Sequence, residues 1–216
     1  MDLTKKRTRK LIQATLTCST GVLVGLPLAA WAQSNLRNTF PGRRLGGGTR
    51  GECSARLVAN LVPTNSVFAP GTSGLIGILE GPTGNPRPLQ LTFKPAGGGG
   101  AGASMTRDLA ATGAGVTLLS IRPVQNATIW ETGYQCDAGG SSGPDQGLNF
   151  IETASPPAQS LLVVDVQTED QRVGAALQQL KAACSKTVAT ATVATAFGIE
   201  DAITAEWPQQ LPVRCL

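Results

Sequence analysis

Short apolar stretches separated by turn residues recur along most of this 216-residue chain. Residues 89–94 alternate most clearly, with Leu89, Leu91 and Phe93 on one face of a predicted strand. Further strands are predicted at 56–62, 74–80, 116–121, 127–136, 148–153 and 161–166, with Gly, Pro, Asn or Asp between them. Such spacing is typical of a β-sandwich, so we expect a mainly β, sandwich-like domain.

Helical spacing appears only near the C-terminus. Thr168 to Gln171 has the sequence of a capping box, with two acidic residues in the first turn. Val173, Leu177 and Leu180 then share one apolar face, which predicts one α-helix packed on the sandwich. The Thr/Val/Ala-rich segment 187–197 is compatible with a strand or a helix, and we predict a strand because Thr and Val favour it.

The first 32 residues have the layout of a secretory signal peptide. A basic run at 5–10 precedes an apolar stretch at 11–29, and a small-x-small motif ends at Ala32, just before Gln33. We predict cleavage between Ala32 and Gln33, a secreted or periplasmic location and no stable membrane anchor afterwards. A retained anchor is the alternative, because 11–32 is long enough to span a bilayer.

The predicted organisation is a signal peptide at 1–32, a flexible Gly/Arg-rich arm at 33–52 and a disulfide-stapled β-rich domain at 53–216. The formal charge of +4 belongs to the leader, since thirteen basic and thirteen acidic residues follow Ala32. A neutral mature chain has no general attraction to nucleic acid, so we expect no such partner.

The chain contains no histidine. This excludes Ser-His-Asp and Cys-His catalysis and histidine-ligated metal sites, and we expect neither a metal nor a cofactor. Four cysteines remain after cleavage, and an even number in an exported chain indicates two disulfides with three possible pairings. We favour Cys53–Cys136 and Cys184–Cys215, and reduced thiols used for catalysis or metal binding are the alternative.

Arg43, Arg44 and Arg50 lie in a glycine-rich stretch at 41–53 and are the candidate binding residues. Glycines allow backbone N–H groups to converge on an anion, and arginines add bidentate contacts to phosphate or carboxylate. Two other interpretations stay open. The stretch is a solvated tether, or its arginines pair with the protein's own acids and order the arm against the sheet.

The pattern GRRxGGGTRGxC at 42–53, followed by Leu61-Val62-Pro63, resembles the opening of a secreted cyanobacterial protein family of unknown function. Tyr134-Gln135-Cys136-Asp137 is similar to that family's second cysteine. The resemblance covers the first half of the mature chain and implies a sandwich-like domain after a Gly-Arg-rich arm, with Cys53 paired to Cys136. It implies no activity.

No convincing catalytic set is present. A hydrolase with paired carboxylates would use two of five acids: Glu131, Asp137, Asp145, Glu152 and Asp165. The simpler interpretation is that these acids balance the charge of the arginines. Trp130 and Tyr134 share one face of a predicted strand, which favours core packing. We therefore expect an exported, non-catalytic binding or structural protein of the periplasm or cell envelope, with an envelope polymer or another exported protein as candidate partner. The alternatives are a secreted carboxylate-dependent hydrolase and an anion- or polysaccharide-binding module that uses the N-terminal arginines.

Overall fold

A computed structural model describes residues 36–47, 56–97, 103–135 and 156–216 as two β-sheets with helices packed on one of them. The strands are β1 (Leu45–Gly46), β2 (Val58–Asn60), β3 (Val67–Phe68), β4 (Leu75–Glu80), β5 (Leu89–Pro95), β6 (Met105–Leu109), β7 (Gly115–Ser120), β8 (Thr128–Tyr134), β9 (Ala158–Leu162), β10 (Thr187–Ala189) and β11 (Gln210–Cys215). Two α-helices lie in the C-terminal part of the chain, after β9: α1 (Thr168–Ala182) and α2 (Thr190–Phe197). The predicted mainly β, sandwich-like fold is confirmed.

One sheet has the strand order β1-β2-β4-β7-β11-β10, and the other has the order β3-β9-β8-β5-β6. Neighbours are antiparallel except for β11 beside β7 and β3 beside β9. β6 therefore ends the second sheet, and the three-residue β10 ends the first.

The core lies between the sheets and beneath α1. Leu89, Leu91 and Phe93 of β5 are buried in the core, as their alternation predicts. Phe93 lies opposite Trp130 of β8, and their rings stack with centroids 6.4 Å apart. Trp130 is fully buried, so it serves the core as the sequence suggested.

Helix α1 crosses the six-stranded sheet at a glycine. A Cβ atom at Gly77 of β4 would lie 2.7 Å from the side chain of Leu177 of α1, so glycine leaves room for this leucine and a larger residue would displace it. Val173, Leu177 and Leu180 are buried beneath the helix, as predicted. The capping box lies one residue earlier than predicted, because Gln167 is the N-cap and Asp170 closes the box.

The strand predicted over 187–197 is wrong from Thr190 onward. β10 pairs with β11 for three residues only, and α2 then begins at Thr190. Val193, Ala194 and Phe197 are buried along one side of α2, and Gly198 ends it with a φ of 57°. Tertiary burial of that side outweighs the weak strand preference of Thr and Val.

The segment 36–47, predicted to belong to a flexible arm, instead packs on the domain. Its helical turn at 36–39 and Phe40 contribute to a small apolar cluster on the outer face of the five-stranded sheet. β1 then pairs with β2, and the backbone of Arg43 pairs with that of Gln159 just inside β9. The flexible-arm prediction is therefore wrong for these residues, because the segment supplies apolar contacts and strand hydrogen bonds.

The predicted Cys184–Cys215 disulfide is confirmed. It joins the residues just after α1 to the end of β11, with a Cα–Cα distance of 5.8 Å. Cys53, Cys136, Arg50 and the predicted cleavage site at Ala32 and Gln33 lie outside the described residues.

Candidate functional site

Arg44 is a structural residue. Its Nη1 donates to the carbonyls of Val62 (3.2 Å) and Phe197 (2.5 Å), and its Nη2 donates to Gly198 O (2.5 Å). Two of these carbonyls belong to the C-terminal end of α2, where a cation is favourable. Burial lowers the pKa of Arg44, and its guanidinium is occupied by the protein's own carbonyls.

Arg43 is exposed, and its backbone N–H and C=O bond to Gln159 at 2.9 and 2.6 Å. The structure thus separates the roles of Arg43 and Arg44, which the sequence analysis grouped in one anion site. Among the described residues, Arg43 and Arg44 therefore order the arm against the domain through carbonyls and strand hydrogen bonds, and not through the acids that the third interpretation proposed.

Arg37 forms a buried ion pair that sequence reasoning missed. Its Nη2 lies 2.9 Å from Asp170 Oδ2, and the two side chains are 5% and 0% exposed. Nη2 also donates to the carbonyl of Asp165 at 2.6 Å. Asp170 accepts bonds from the backbone N–H groups of Ala69 and Gln167 as well, so one carboxylate joins the N-terminal segment, the loop after β3 and α1.

A second buried charge cluster lies at the end of β4. Glu80 Oε1 is 3.0 Å from Arg56 Nη1, and Oε2 accepts a 2.6 Å hydrogen bond from Thr112. Arg214 Nη1 lies 4.0 Å from the same carboxylate. Burial raises the pKa of Glu80, against the opposing effects of Thr112 and the two arginines. The Arg56 guanidinium also lies 5.3 Å from the centre of the Tyr134 ring.

Of the two described acids proposed for a hydrolase, Glu131 is bound by other side chains, and Asp165 takes part through its backbone carbonyl. Glu131 accepts bonds from Lys94 (2.6 Å) and Gln159 (3.0 Å) on the outer face of the five-stranded sheet. Asp165 lies beyond the end of β9, and its carbonyl holds Arg37. The other three candidates, Asp137, Asp145 and Glu152, lie outside the described residues.

A groove of about 640 Å³ opens between the two sheets beside β6, and we call it the mouth groove. Its floor contains Phe93 and Leu162 from the five-stranded sheet and Leu119 from the six-stranded sheet. These side chains belong to the main core, so the groove exposes the edge of that core. Its volume lies within the range of small-molecule sites.

Strand β6 forms one wall of the mouth groove. Met105 and Arg107 pair with Phe93 and Leu91, so they occupy the inner face of the sheet. Met105 is nevertheless 57% exposed, because β6 has no further neighbour in its sheet among the described strands. An inward-facing charge on an edge strand protects it from pairing with other chains, and Arg107 fits that role too.

Two exposed arginines, Arg107 and Arg122, line the mouth groove on opposite walls. Within the described part of the chain, neither has a hydrogen bond or an ion pair, and no Asp or Glu lines the groove. The site combines an apolar floor with uncompensated positive charge. The site is not predictable without β6, whose signal in the sequence is weak: Met105 and Leu109 share one face of the strand, but Arg107 lies between them on that face.

A second cavity of about 620 Å³ lies between α1 and the turn after β3, and we call it the helix cavity. Val163, Val164 and Val166 line it, and the last two are 45% and 43% exposed. Pro123 and Val124 line both cavities. The two cavities are therefore neighbours that share one apolar wall.

No family model matches the chain, and no curated protein or solved structure is similar to it. Across 36–47, 56–97, 103–135 and 156–216, no helix is long and apolar enough to cross a membrane. Within the same ranges, no three His, Cys, Asp or Glu side chains are grouped so that they could hold a metal ion.

Proposed function

We propose that this chain is an exported, non-catalytic binding protein of the periplasm or cell envelope, and that the mouth groove holds its ligand. The observation that carries the proposal is the pairing of an apolar floor with two unpartnered arginines. Every N-terminal arginine whose guanidinium is buried in the described chain has a partner within the protein. Arg107 and Arg122 have none among the described residues, which leaves them available to an external anion.

Export rests on two features. The first 32 residues have the order of a secretory signal: a basic run, an apolar stretch and then a small-x-small motif. The Cys184–Cys215 disulfide suits an oxidising compartment.

A binding role is favoured over hydrolysis by the placement of the described carboxylates. Glu131, Glu80 and Asp170 each hold a cation of the protein. Neither the mouth groove nor the helix cavity is lined by two carboxylates, which a carboxylate-dependent hydrolase requires.

The two parts of the mouth groove contribute differently to binding. Apolar surface contributes about 25 cal/mol for each Å² removed from water, so the floor supplies most of the affinity. Exposed ion pairs contribute about 0.2–1 kcal/mol each, so the arginines mainly select ligands with negative charge. The expected ligand has an apolar body and an anionic group.

The experiment titrates the mature chain, residues 33–216, with anilinonaphthalene sulfonate and follows its fluorescence. This probe joins an aromatic body to a sulfonate. The double variant R107A/R122A should bind it about tenfold more weakly, from the loss of two exposed charge contacts. The matched control R43A/R172A removes the same charge from two exposed positions outside the groove and should bind as the wild type does.

Equal binding by R107A/R122A and the wild type would contradict the assignment of this groove. Weaker binding by the control alone would move the site away from the mouth groove, to the surroundings of Arg43 or Arg172. Circular dichroism of each variant should match that of the wild type, so that probe binding to a partly unfolded chain is recognised.

A further inference from the structure

We propose that the ligand is a single unbranched hydrocarbon chain with one anionic end, and that it lies across both cavities. This inference rests on the proposed function and names its ligand class. The anionic end lies between Arg107 and Arg122, and the chain passes over Val124 into the helix cavity. The observation behind it is the wall that the two cavities share.

The two cavities are lined by consecutive residues at the end of β9 and just beyond it. Leu162 at the end of β9 lines the mouth groove, and Val163 and Val164 line the helix cavity. On the other side, the segment 121–124 runs from the first cavity into the second. An extended molecule that follows β9 and this segment would contact both cavities in sequence.

The helix cavity suits the uncharged end of such a molecule. Its one charged lining residue, Asp170, is buried and already bound to Arg37. Val164 and Val166 are exposed apolar side chains in the described chain, and a hydrocarbon would remove them from water. Of the two cavities, only the mouth groove is lined by positive charge, so the anionic end of the ligand is placed there and the uncharged end in the helix cavity.

A hydrocarbon chain fits the shared wall better than a polypeptide does. A bound peptide must find partners for its backbone N–H and C=O groups when it leaves water. Pro123 and Val124 form the shared wall, their side chains are apolar, and a proline has no N–H to donate. A methylene chain has no N–H or C=O groups that need hydrogen-bond partners.

Gly174 of α1 allows the helix cavity to be filled by mutation. It lines that cavity, and a Cβ placed on it would meet no atom within 4 Å. Leucine is also a better helix former than glycine, so G174L should fold. The control A175L places the same side chain at the next, exposed position, which lines neither cavity.

The test is calorimetric titration of octanoate, decanoate, dodecanoate and tetradecanoate below their micelle concentrations. Wild-type and A175L affinity should rise with chain length, by about fourfold for each methylene that becomes buried. G174L should bind octanoate normally and then gain nothing from longer chains. Dodecanol, which lacks the charge, should bind more weakly than dodecanoate to the wild type and equally weakly to R107A/R122A.

The outcomes separate the two proposals. If octanoate binding depends on Arg107 and Arg122 but G174L follows the wild-type series, the helix cavity is not used and this inference is overturned while the proposed function stands. If an acidic peptide binds and dodecanoate does not, the hydrocarbon ligand is wrong. If neither the sulfonate probe nor any carboxylate binds, both proposals fail.

Discussion

The two side edges of the sandwich use arginine in opposite ways. At the closed edge, the segment 36–47 pairs with β2 and reaches β9, and the guanidiniums of Arg37 and Arg44 bind the protein's own oxygens. At the open edge, β6 has no further strand beside it among the described residues, and Arg107 and Arg122 have no partner there.

The difference shows that local arginine density is a poor guide to a binding site. Arg43 and Arg44 stand together among glycines, yet Arg44 closes the end of α2 with its guanidinium. Arg107 and Arg122 are far less conspicuous in the sequence, but they lie beside apolar surface and have no partner among the described residues. Whether an arginine recognises a ligand depends on the carbonyls and carboxylates that the fold brings to it.

Breaking the closed edge should have the largest effect on stability. D170A leaves the Arg37 guanidinium buried without its counter-ion and removes the acceptor of two backbone N–H groups. Loss of one partner of a buried pair costs about 3–5 kcal/mol. Urea unfolding of the mature chain, followed by circular dichroism, measures this loss.

The matched control for D170A is E169A, the neighbouring acid in the same helical turn. Glu169 pairs with Arg172 at 2.8 Å, but both side chains are exposed. Its removal should cost no more than about 1 kcal/mol. Equal losses for D170A and E169A would mean that the closed edge does not depend on the buried pair.

The Cys184–Cys215 disulfide supports the six-stranded sheet covalently, and its removal should have an intermediate effect on stability. The Cys184–Cys215 bond anchors β11, which lies between β7 and β10, across a sequence separation of 31 residues. C184A/C215A should lose about 2–4 kcal/mol of unfolding free energy. A change below about 0.5 kcal/mol, the range of neutral surface substitutions, would show that the bond adds little.

Elements with a strong local pattern were predictable. β5 alternates over its length, and the buried face of α1 repeats at helical spacing, so each has one clear solution. The Cys184–Cys215 pairing was also found from the sequence. The Cys53–Cys136 pairing stays a prediction. It is supported by a 3.1 Å bond from the Tyr134 hydroxyl to Leu57 O, which brings residues near these two cysteines together.

Elements defined by distant contacts were not predictable. Segment 36–47 has little periodicity of its own, and its order comes from partners such as Gln159 and Asp170, more than a hundred residues away. β6 carries Arg107 on its inner face, which breaks the apolar alternation that marks a strand. The mouth groove also depends on distant contacts, because it exists only where the two sheets do not meet.

The smallest expected effect on stability concerns Glu80, which is paired with Arg56 at the end of β4. Burial raises the pKa of Glu80 above its ordinary value of 4.5, so the folded protein binds the proton more tightly than the unfolded chain. The resulting stabilisation is present below that value and is lost as the pH rises through the higher folded pKa. Since E80Q cannot titrate, the difference in unfolding free energy between the wild type and E80Q should decrease from pH 4.5 upward and then become constant.

Urea unfolding of both proteins across this pH range measures the difference directly. The effect should be smaller than that of D170A, because Arg56 and Arg214 offset part of the burial cost of the ionised carboxylate. Parallel curves for the two proteins would show that Glu80 titrates alike in the folded and unfolded states. A difference that instead grows with pH would mean that the arginines outweigh burial, and the cluster would then stabilise the ionised carboxylate of Glu80.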